Sequence, residues 1–493
     1  MVGQRGLREQ ILEHIAQFSF ASMIGGIGLF FSNYIAARVL GPSTWGLWQG
    51  VRLVLVYGAC LHLGAQYGMQ RELPILRGRG ETVTTDAIIN VAYTIVMLAA
   101  VIVSILVFLV AWMVPIDREA RVMLLFVAGM LFLEYVRVFY GTLLRATNRF
   151  GIVSRVTMID GAGHVASAGL AAFTGLFGFL VGQIVRLTAD SWYSLRTRQL
   201  IPRFQWDNAL ARSLVVIGFP IMLSVFAHAA LTSSDKMLIL SLLGSSELGY
   251  YSLGTLIFMP LLVIFGASNS VMFPRFAERF GQTGRADALR GYVIEPIGLL
   301  ASVVSVLVGM IFLGVDWATG TFLPEYLPGV DAARVLLIGQ FFHALAGMAG
   351  NLLVTIDRQR VYLAVLAGGA VLNLCLSYAA LRLGFGIAGV AAATSVSFAA
   401  YFICLAVLAM RFTASSRREI VKLMWRAMWP LAYVLAAIGV VELTATWLPS
   451  AMLGWRDVGR ILAKEMLFVL LTGWVILTSL RSARISWKQL LRR

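Results

Sequence analysis

The stretch Ser32-Asn33-Tyr34-Ile35-Ala36-Ala37-Arg38-Val39-Leu40-Gly41-Pro42-Ser43-Thr44-Trp45-Gly46-Leu47-Trp48 ends one long apolar run and opens another through a short turn. Glycine at 41 frees the backbone, and Pro42 cannot continue the helix that precedes it. The same signature returns as Leu243-Gly244-Ser245-Ser246-Glu247-Leu248-Gly249-Tyr250-Tyr251. Gly41 and Gly46 fall on Gly244 and Gly249, and Trp48 falls on Tyr251. A helical hairpin that occurs twice implies a duplicated architecture.

The runs around these hairpins identify the solvent. Of the 493 residues 59% are hydrophobic and 13% charged, against roughly 25% charged in soluble domains. From Gln17 to Leu480 the chain is a succession of apolar runs, each long enough to cross a bilayer as a helix. A soluble core would need helix after helix without a polar face. The net charge of +16 is almost all arginine, which points to cytoplasmic loops and not to nucleic acid. Cys60, Cys375 and Cys404 are isolated in apolar runs, so they predict packing and neither a disulfide nor a metal site. Residues 1–16 read as a short interfacial helix: Leu7, Ile11, Ile15 and Phe18 recur at helical spacing among Arg8, Glu9, Glu13 and His14.

The runs predict fourteen spans in an all-α polytopic membrane protein: 17–40, 45–70, 84–113, 119–145, 150–175, 177–198, 209–242, 248–273, 285–315, 331–356, 361–383, 386–411, 421–447 and 458–480. Arginine placement supports the count. Loops holding Arg71, Arg77 and Arg79, then Arg145, Arg149 and Arg155, then Arg196, Arg198, Arg203 and Arg212 alternate with loops that hold few. The alternation continues to Arg481, Arg484, Lys488, Arg492 and Arg493, so both termini are expected in the cytoplasm. The longest outer connection, from about Asp316 to Val330, is too short for a catalytic domain.

A second repeat accompanies the first. Gly141-Thr142-Leu143-Leu144-Arg145-Ala146-Thr147-Asn148-Arg149 is matched by Gly350-Asn351-Leu352-Leu353-Val354-Thr355-Ile356-Asp357-Arg358. The offsets, 203 from Gly41 to Gly244 and 209 from Gly141 to Gly350, fit one six-helix unit copied in tandem. Six is even, so the copies share an orientation and are expected to be related by an axis along the membrane normal. This divides the chain into 1–16, a first lobe at 17–200, a second at 201–412, two appended spans within 413–481, and a basic tail at 482–493.

The run Ala37-Arg38-Val39-Leu40-Gly41-Pro42 through Gly46, the stretch Asp235-Lys236-Met237-Leu238-Ile239 and the turn Asp357-Arg358-Gln359 resemble the polysaccharide transporter branch of the multidrug/oligosaccharidyl-lipid/polysaccharide (MOP) exporter superfamily. The resemblance covers about residues 15 to 410. It implies a flippase that moves an undecaprenyl-pyrophosphate-linked oligosaccharide across the bacterial inner membrane. It also implies that the two appended spans help to form a groove for the lipid tail.

No phosphate loop is present: the only lysines, Lys236, Lys422, Lys464 and Lys488, complete none. There is no His-Glu-x-x-His, Cys-x-x-Cys or nucleophile elbow, so no enzyme activity, cofactor or resident metal is expected. The informative residues are ionisable groups deep in spans, each costing about 2.5–3.5 kcal/mol unless it faces a cavity or partner. Arg52 lies in the second span, Glu134 and Arg137 in the fourth, Asp160 and His164 in the fifth, and Arg186 and Asp190 in the sixth. His228 and Asp235 lie in the seventh, Glu295 in the ninth and His343 in the tenth. A guanidinium binds phosphate through a planar fork and stays charged when partly desolvated. Arg52, Arg137 and Arg186, with Glu134 and Arg38, are therefore the substrate-binding candidates. Asp160, His164, Asp190, His228, Asp235, Glu295 and His343 are the candidates for coupling to a proton or sodium ion. Against this stand blander readings: Glu134–Arg137 and Arg186–Asp190 as self-neutralising intrahelical pairs, Arg38 snorkelling at the membrane edge, and lone histidines as interior groups. Trp45 and Trp48 read as an interfacial belt, and Pro220 and Pro296 as kink sites.

The expected mechanism is alternating access around a cationic cavity between two lobes, with lipid-linked oligosaccharide as cargo, membrane lipids around it and no nucleic acid. Glycan polymerases and other polysaccharide-assembly proteins are the expected partners. One rival is a cation-coupled drug exporter of the same superfamily, which would show acidic cavity residues and usually twelve spans. Another is a membrane glycan polymerase or ligase, which would need a sizeable outer loop.

Overall fold

The computed structural model describes residues 2–78, 82–196, 201–447 and 458–491. Arg79, Arg198, Arg456, Arg492 and Arg493, among the loop and tail charges, lie outside them. The described residues form helices joined by short turns, with no strand among them. In chain order these are α1 (Val2–Gly58), α2 (Ala65–Gly78), α3 (Thr82–Met113), α4 (Arg118–Ala146), α5 (Phe150–Arg196), α6 (Asn208–Leu242) and α7 (Ser245–Thr283). They are followed by α8 (Arg290–Phe322), α9 (Val330–Thr355), α10 (Gln359–Arg382), α11 (Gly386–Phe412), α12 (Arg417–Trp447) and α13 (Val458–Leu491).

Eleven helices among the described residues are long and apolar enough to cross a membrane. Two of them are broken inside. Gly41 takes φ 71° and ψ 171°, and Thr174–Gly175 takes φ −130° then φ 63°. A positive φ is open to glycine at little cost, and Pro42 then supplies the fixed φ of a first helical turn. With both breaks counted these give thirteen segments among the described residues, and the 39-residue α7 lies where a further span, 248–273, is expected. Each of the fourteen spans expected from the sequence is therefore matched by a helical segment. Along α3 the side chains of Ile102, Ile105, Leu106 and Val110 are exposed, an apolar face suited to lipid.

Three boundaries differ from expectation. Residues 2–16 run without a break into the first span. The stretch after Asp316 is no loop: α8 continues to Phe322 and a 3-10 turn, Pro324–Gly329, leads straight into α9. Tyr326 is 1% exposed there, so the turn is anchored by an aromatic side chain. Finally, the expected second span, 45–70, ends as helix at Gly58, and α2 opens at Ala65. Helices α6 and α8 run on through Pro220 and Pro296, as the expected spans 209–242 and 285–315 do. The second sequence repeat proves to be a matched pair of helix ends. Asn148 (φ 58°) and Asp357 (φ 57°) are left-handed, and the N–H groups of Arg149 and Arg358 return to the carbonyls of Leu144 and Leu353.

The chain forms two compact units, Met1–Gly249 and Tyr250–Arg493. In the first, α1 lies along α5 with helix backbones close together: a Cβ on Gly28 would stand 2.6 Å from the Gly161 carbonyl oxygen. Trp45 and Trp48 are 1% and 4% exposed and sit edge-on against Phe179. They form core and not an interfacial belt, because the break at Gly41 turns the second half of α1 inward. The unit also takes in α6, which the repeats assign to the second lobe. Tyr57 Oη and Ser233 Oγ, 2.9 Å apart, join α1 to it. The two repeated hairpins meet here. A Cβ on Gly46 would lie 1.9 Å from the Ser245 carbonyl oxygen, and one on Gly249 2.0 Å from that of Pro42.

In the second unit α9 and α11 pack around Phe341, Phe398 and Phe402. The appended α12 and α13 pack on α8 through Val306, Leu313, Val434, Ile438 and Phe468. The start of α12 is a capping box in which the Ser416 N–H donates to Glu419 Oε2 at 2.7 Å and the Glu419 N–H to Ser416 Oγ at 3.3 Å. Arg290 of α8 clamps this turn, donating to Glu419 and to the carbonyls of Thr413 and Ala414.

Candidate functional site

Within the first unit, α1, α4 and α5 enclose a hollow of about 330 Å³. Its lining includes Arg52, Glu134, Arg137, Asp160, His164 and Arg186, so six of the sequence candidates from four different spans converge on one space. Asn33, Trp48, Phe179 and Gln183 complete the polar and aromatic wall.

Two arginines are partnered. Arg137 holds Glu134 one turn away through both ends of its fork, with Nε to Oε2 at 2.9 Å. Arg186 does not pair with Asp190, as the intrahelical alternative required. It crosses to Asp160 on the other half of α5 and also donates from Nε to Gln183 Oε1 at 3.1 Å. The cause is local packing: the break at Gly175 folds the two halves of α5 together. Gly163 lies opposite Arg186, where a Cβ would come within 2.5 Å of its Cγ. Gln183 is fixed in turn by donating to Ser167 Oγ at 3.0 Å, and Ser167 donates to the Phe179 carbonyl at 3.1 Å. His164 Nε2 stands 3.7 Å from Asp160 Oδ2, as the four-residue spacing predicts, while its buried Nδ1 has no partner among the described residues.

Arg52 is different. It makes no ion pair among the described residues, and Glu134, Arg186 and Lys236 are its charged neighbours. Three guanidinium groups thus face two carboxylates around the hollow, and the excess positive charge resides at Arg52. Asp190 lies behind the wall, 0% exposed, next to Asp160, with neither oxygen accepting an N–H or O–H hydrogen bond among the described residues.

The other candidates lie elsewhere. Arg38 is exposed on α1 and donates to Tyr34 Oη at 3.1 Å, the geometry of a snorkelling side chain. His228 is exposed on α6, and Asp235 is buried there with its carboxylate accepting the Lys236 N–H at 2.8 Å. In the second unit Glu295 pairs with Arg426 of α12 at 2.5 Å, and His343 stacks on Phe398 at 4.7 Å. A larger groove, about 560 Å³ between α10 and α11, is lined mainly by aliphatic residues and offers no paired charges. No group of His, Cys, Asp and Glu able to hold a metal occurs among the described residues. Asn33, Phe179 and Gln183 carry no charge and Trp48 reads as an interfacial belt, so none of the four stands out as a site residue in the sequence. The signal for Gln183 is its place three residues before Arg186, on the same helix face.

Among solved structures the lipid II flippase MurJ, in an inward closed conformation, superposes with TM-score 0.68 at 14% identity, over 93% of this chain and 97% of that one. An inward-facing multidrug-resistance MATE transporter gives 0.60 at 13% identity, over 86% and 98%. A MOP-superfamily transporter from Pyrococcus furiosus gives 0.58 at 13% identity, over 86% and 96%. At these identities the likeness establishes the fold. No curated protein matches the chain significantly by sequence. The family described as polysaccharide biosynthesis protein matches residues 35–320, more than half of the chain, and the chain belongs to that family.

Proposed function

We propose that this protein is a flippase carrying a lipid-linked oligosaccharide, with an undecaprenyl-pyrophosphate linkage, from the cytoplasmic to the periplasmic leaflet of the bacterial inner membrane. The observation that carries the proposal is the hollow of the first unit, where Arg52 lines the space with no ion pair among the described residues, beside two arginines already presented as forks. A pyrophosphate entering it meets Arg52 first. It then competes with Glu134 and Asp160 for the forks of Arg137 and Arg186, exchanging one oxyanion for another. Such an exchange binds the cargo without leaving an unpaired charge at depth, and it is reversed when the cargo leaves. Membership of a polysaccharide biosynthesis family supports a glycan as the rest of the cargo.

Transport proceeds by alternating access, with no bond made or broken in the cargo. A cytoplasm-negative potential favours outward movement of anions by about 2.3 kcal/mol per charge per 100 mV. Two phosphate charges then gain roughly 4–5 kcal/mol per 100 mV, so ATP is not required. If a proton is coupled, Asp190 beside Asp160 is its carrier: it is the one acid of the site with no guanidinium or hydroxyl on it.

The test is reconstitution of the purified chain in liposomes with a fluorescent lipid-linked oligosaccharide, scored by protection from an external glycosidase. Wild-type translocation by Arg52→Gln and Arg186→Ala together would overturn the assignment of the site. A reporter after Arg493 should read cytoplasmic and one at Pro324 periplasmic; the reverse would overturn the direction.

A further inference from the structure

A second polar hollow, about 390 Å³, lies in the second unit between α8, α12 and α13. The proposed transport cycle gives its charged pair no step. Its charged residues are Glu295 of α8 and Arg426 of α12, joined by one hydrogen bond from Nη1 to Oε1 at 2.5 Å. That bond leaves Glu295 Oε2 and the Nε and Nη2 groups of Arg426 with no hydrogen bond among the described residues. Apart from the Trp429 indole N–H, the other polar groups are occupied. Trp474 Nε1 donates to Tyr433 Oη at 3.0 Å, and Tyr433 donates to the Leu471 carbonyl at 2.9 Å. Ser479 is 2.7 Å from Ser302, and Thr478 donates to the Trp474 carbonyl at 2.9 Å. Trp429 and Trp474 form an aromatic wall, their rings 5.7 Å apart and inclined by 33°.

Among the described residues the hollow therefore offers one open anionic acceptor, one open cationic fork and an indole surface with the Trp429 N–H, and its lining carries no net charge. Its complement is a zwitterion. An ammonium suits Glu295 and the indole faces, and a phosphodiester suits Arg426. Its surroundings say where such a ligand comes from. Trp474 is 43% exposed, and Met466, Leu470 and Leu477 of α13 are exposed apolar side chains. On α12 the exposed Arg417, Arg418, Lys422 and Trp425 lie within about three turns of Arg426, the pattern of a membrane interface. We propose that this hollow binds the headgroup of a phospholipid bearing a primary ammonium, of the phosphatidylethanolamine class, with its chains against α13. The proposal stands independently of the cargo assigned to the first unit.

The experiment uses the purified full chain in detergent, with phosphatidylethanolamine, phosphatidylglycerol or phosphatidylcholine added in mixed micelles. Phosphatidylethanolamine should raise the melting temperature by about 2–4 °C and be retained in native mass spectra at least about tenfold over phosphatidylglycerol. A Cβ at Gly298 would sit 3.7 Å from Arg426 Cβ, an ordinary contact, so Gly298→Ala should keep the effect. Gly298→Leu, which fills the hollow, should abolish it, and Trp474→Leu should weaken it in a background whose indole is already partly exposed. An equal response to phosphatidylglycerol, a response to a soluble oligosaccharide in place of lipid, or full retention of phosphatidylethanolamine by both Gly298→Leu and Trp474→Leu would overturn the proposal.

Discussion

The hollow around Arg186 and the hollow around Arg426 are built alike and charged differently. Each sits between helices, each has an arginine joined to an acid on a neighbouring segment, and each has tryptophan in its wall. The first holds three guanidinium groups against two carboxylates, and the second holds one against one. A buried pair is weak evidence of function by itself, since desolvation offsets most of its attraction. The excess charge is what separates the two. On the proposed reading Arg52 is balanced by the cargo that arrives, whereas Glu295 and Arg426 already balance each other.

That distinction can be broken by experiment. The largest effect is expected from Arg186→Ala, which strands Asp160: translocation should be lost and stability should fall by about 3–5 kcal/mol, read by denaturation in detergent. Adding Asp160→Ala should recover most of the stability and none of the translocation. If it recovers both, the pair is structural only. Arg52→Gln strands no acid, so the fold should persist while cargo affinity falls by about 10- to 100-fold, a charge-assisted hydrogen bond's worth. Gly163→Ala should displace Arg186 without changing any charge, because a Cβ there would overlap Cγ at 2.5 Å. We expect about 1–3 kcal/mol of destabilisation from overpacking and a measurable loss of cargo affinity. The smallest effect should come from Glu295→Gln with Arg426→Gln in one chain. Cargo affinity per folded molecule should stay within about twofold, since removing both partners avoids a stranded charge. A loss as large as that of Arg52→Gln would erase the comparison.

Much of the architecture is legible in the chain itself. The apolar runs and alternating arginines give fourteen spans, and Gly41-Pro42 marks its break because only glycine takes that φ readily. The second break, at Thr174-Gly175, falls where the fifth and sixth spans abut, though the helix resumes at once and no loop separates them. Partners across spans are the part that periodicity hides. Four-residue spacing predicted His164 beside Asp160 correctly, yet the same rule offered Asp190 to Arg186, which instead reaches Asp160, 26 positions earlier. Spacing ranks neighbours on one helix and says nothing about the helix opposite. Trp45 and Trp48 failed for the same reason. Near the end of an apolar run a tryptophan suits the interface, and only Phe179 facing it reveals core. The stretch from Asp316 to Val330 reads as a connection, but α8 runs on to Phe322, and Pro324 and Pro328 are absorbed into a 3-10 turn.

The seam between the two hairpins carries a consequence for how such a chain can change. At Gly46 and Gly249 peptide meets peptide, with no side chain to trim or reshape in compensation. Neither position can drift alone, and a chimera that borrows one hairpin from a relative with a different turn should fail to close. The duplicated signature is then the mark of a joint whose two faces must be inherited together, leaving cargo recognition free to diverge at Arg52 and its neighbours.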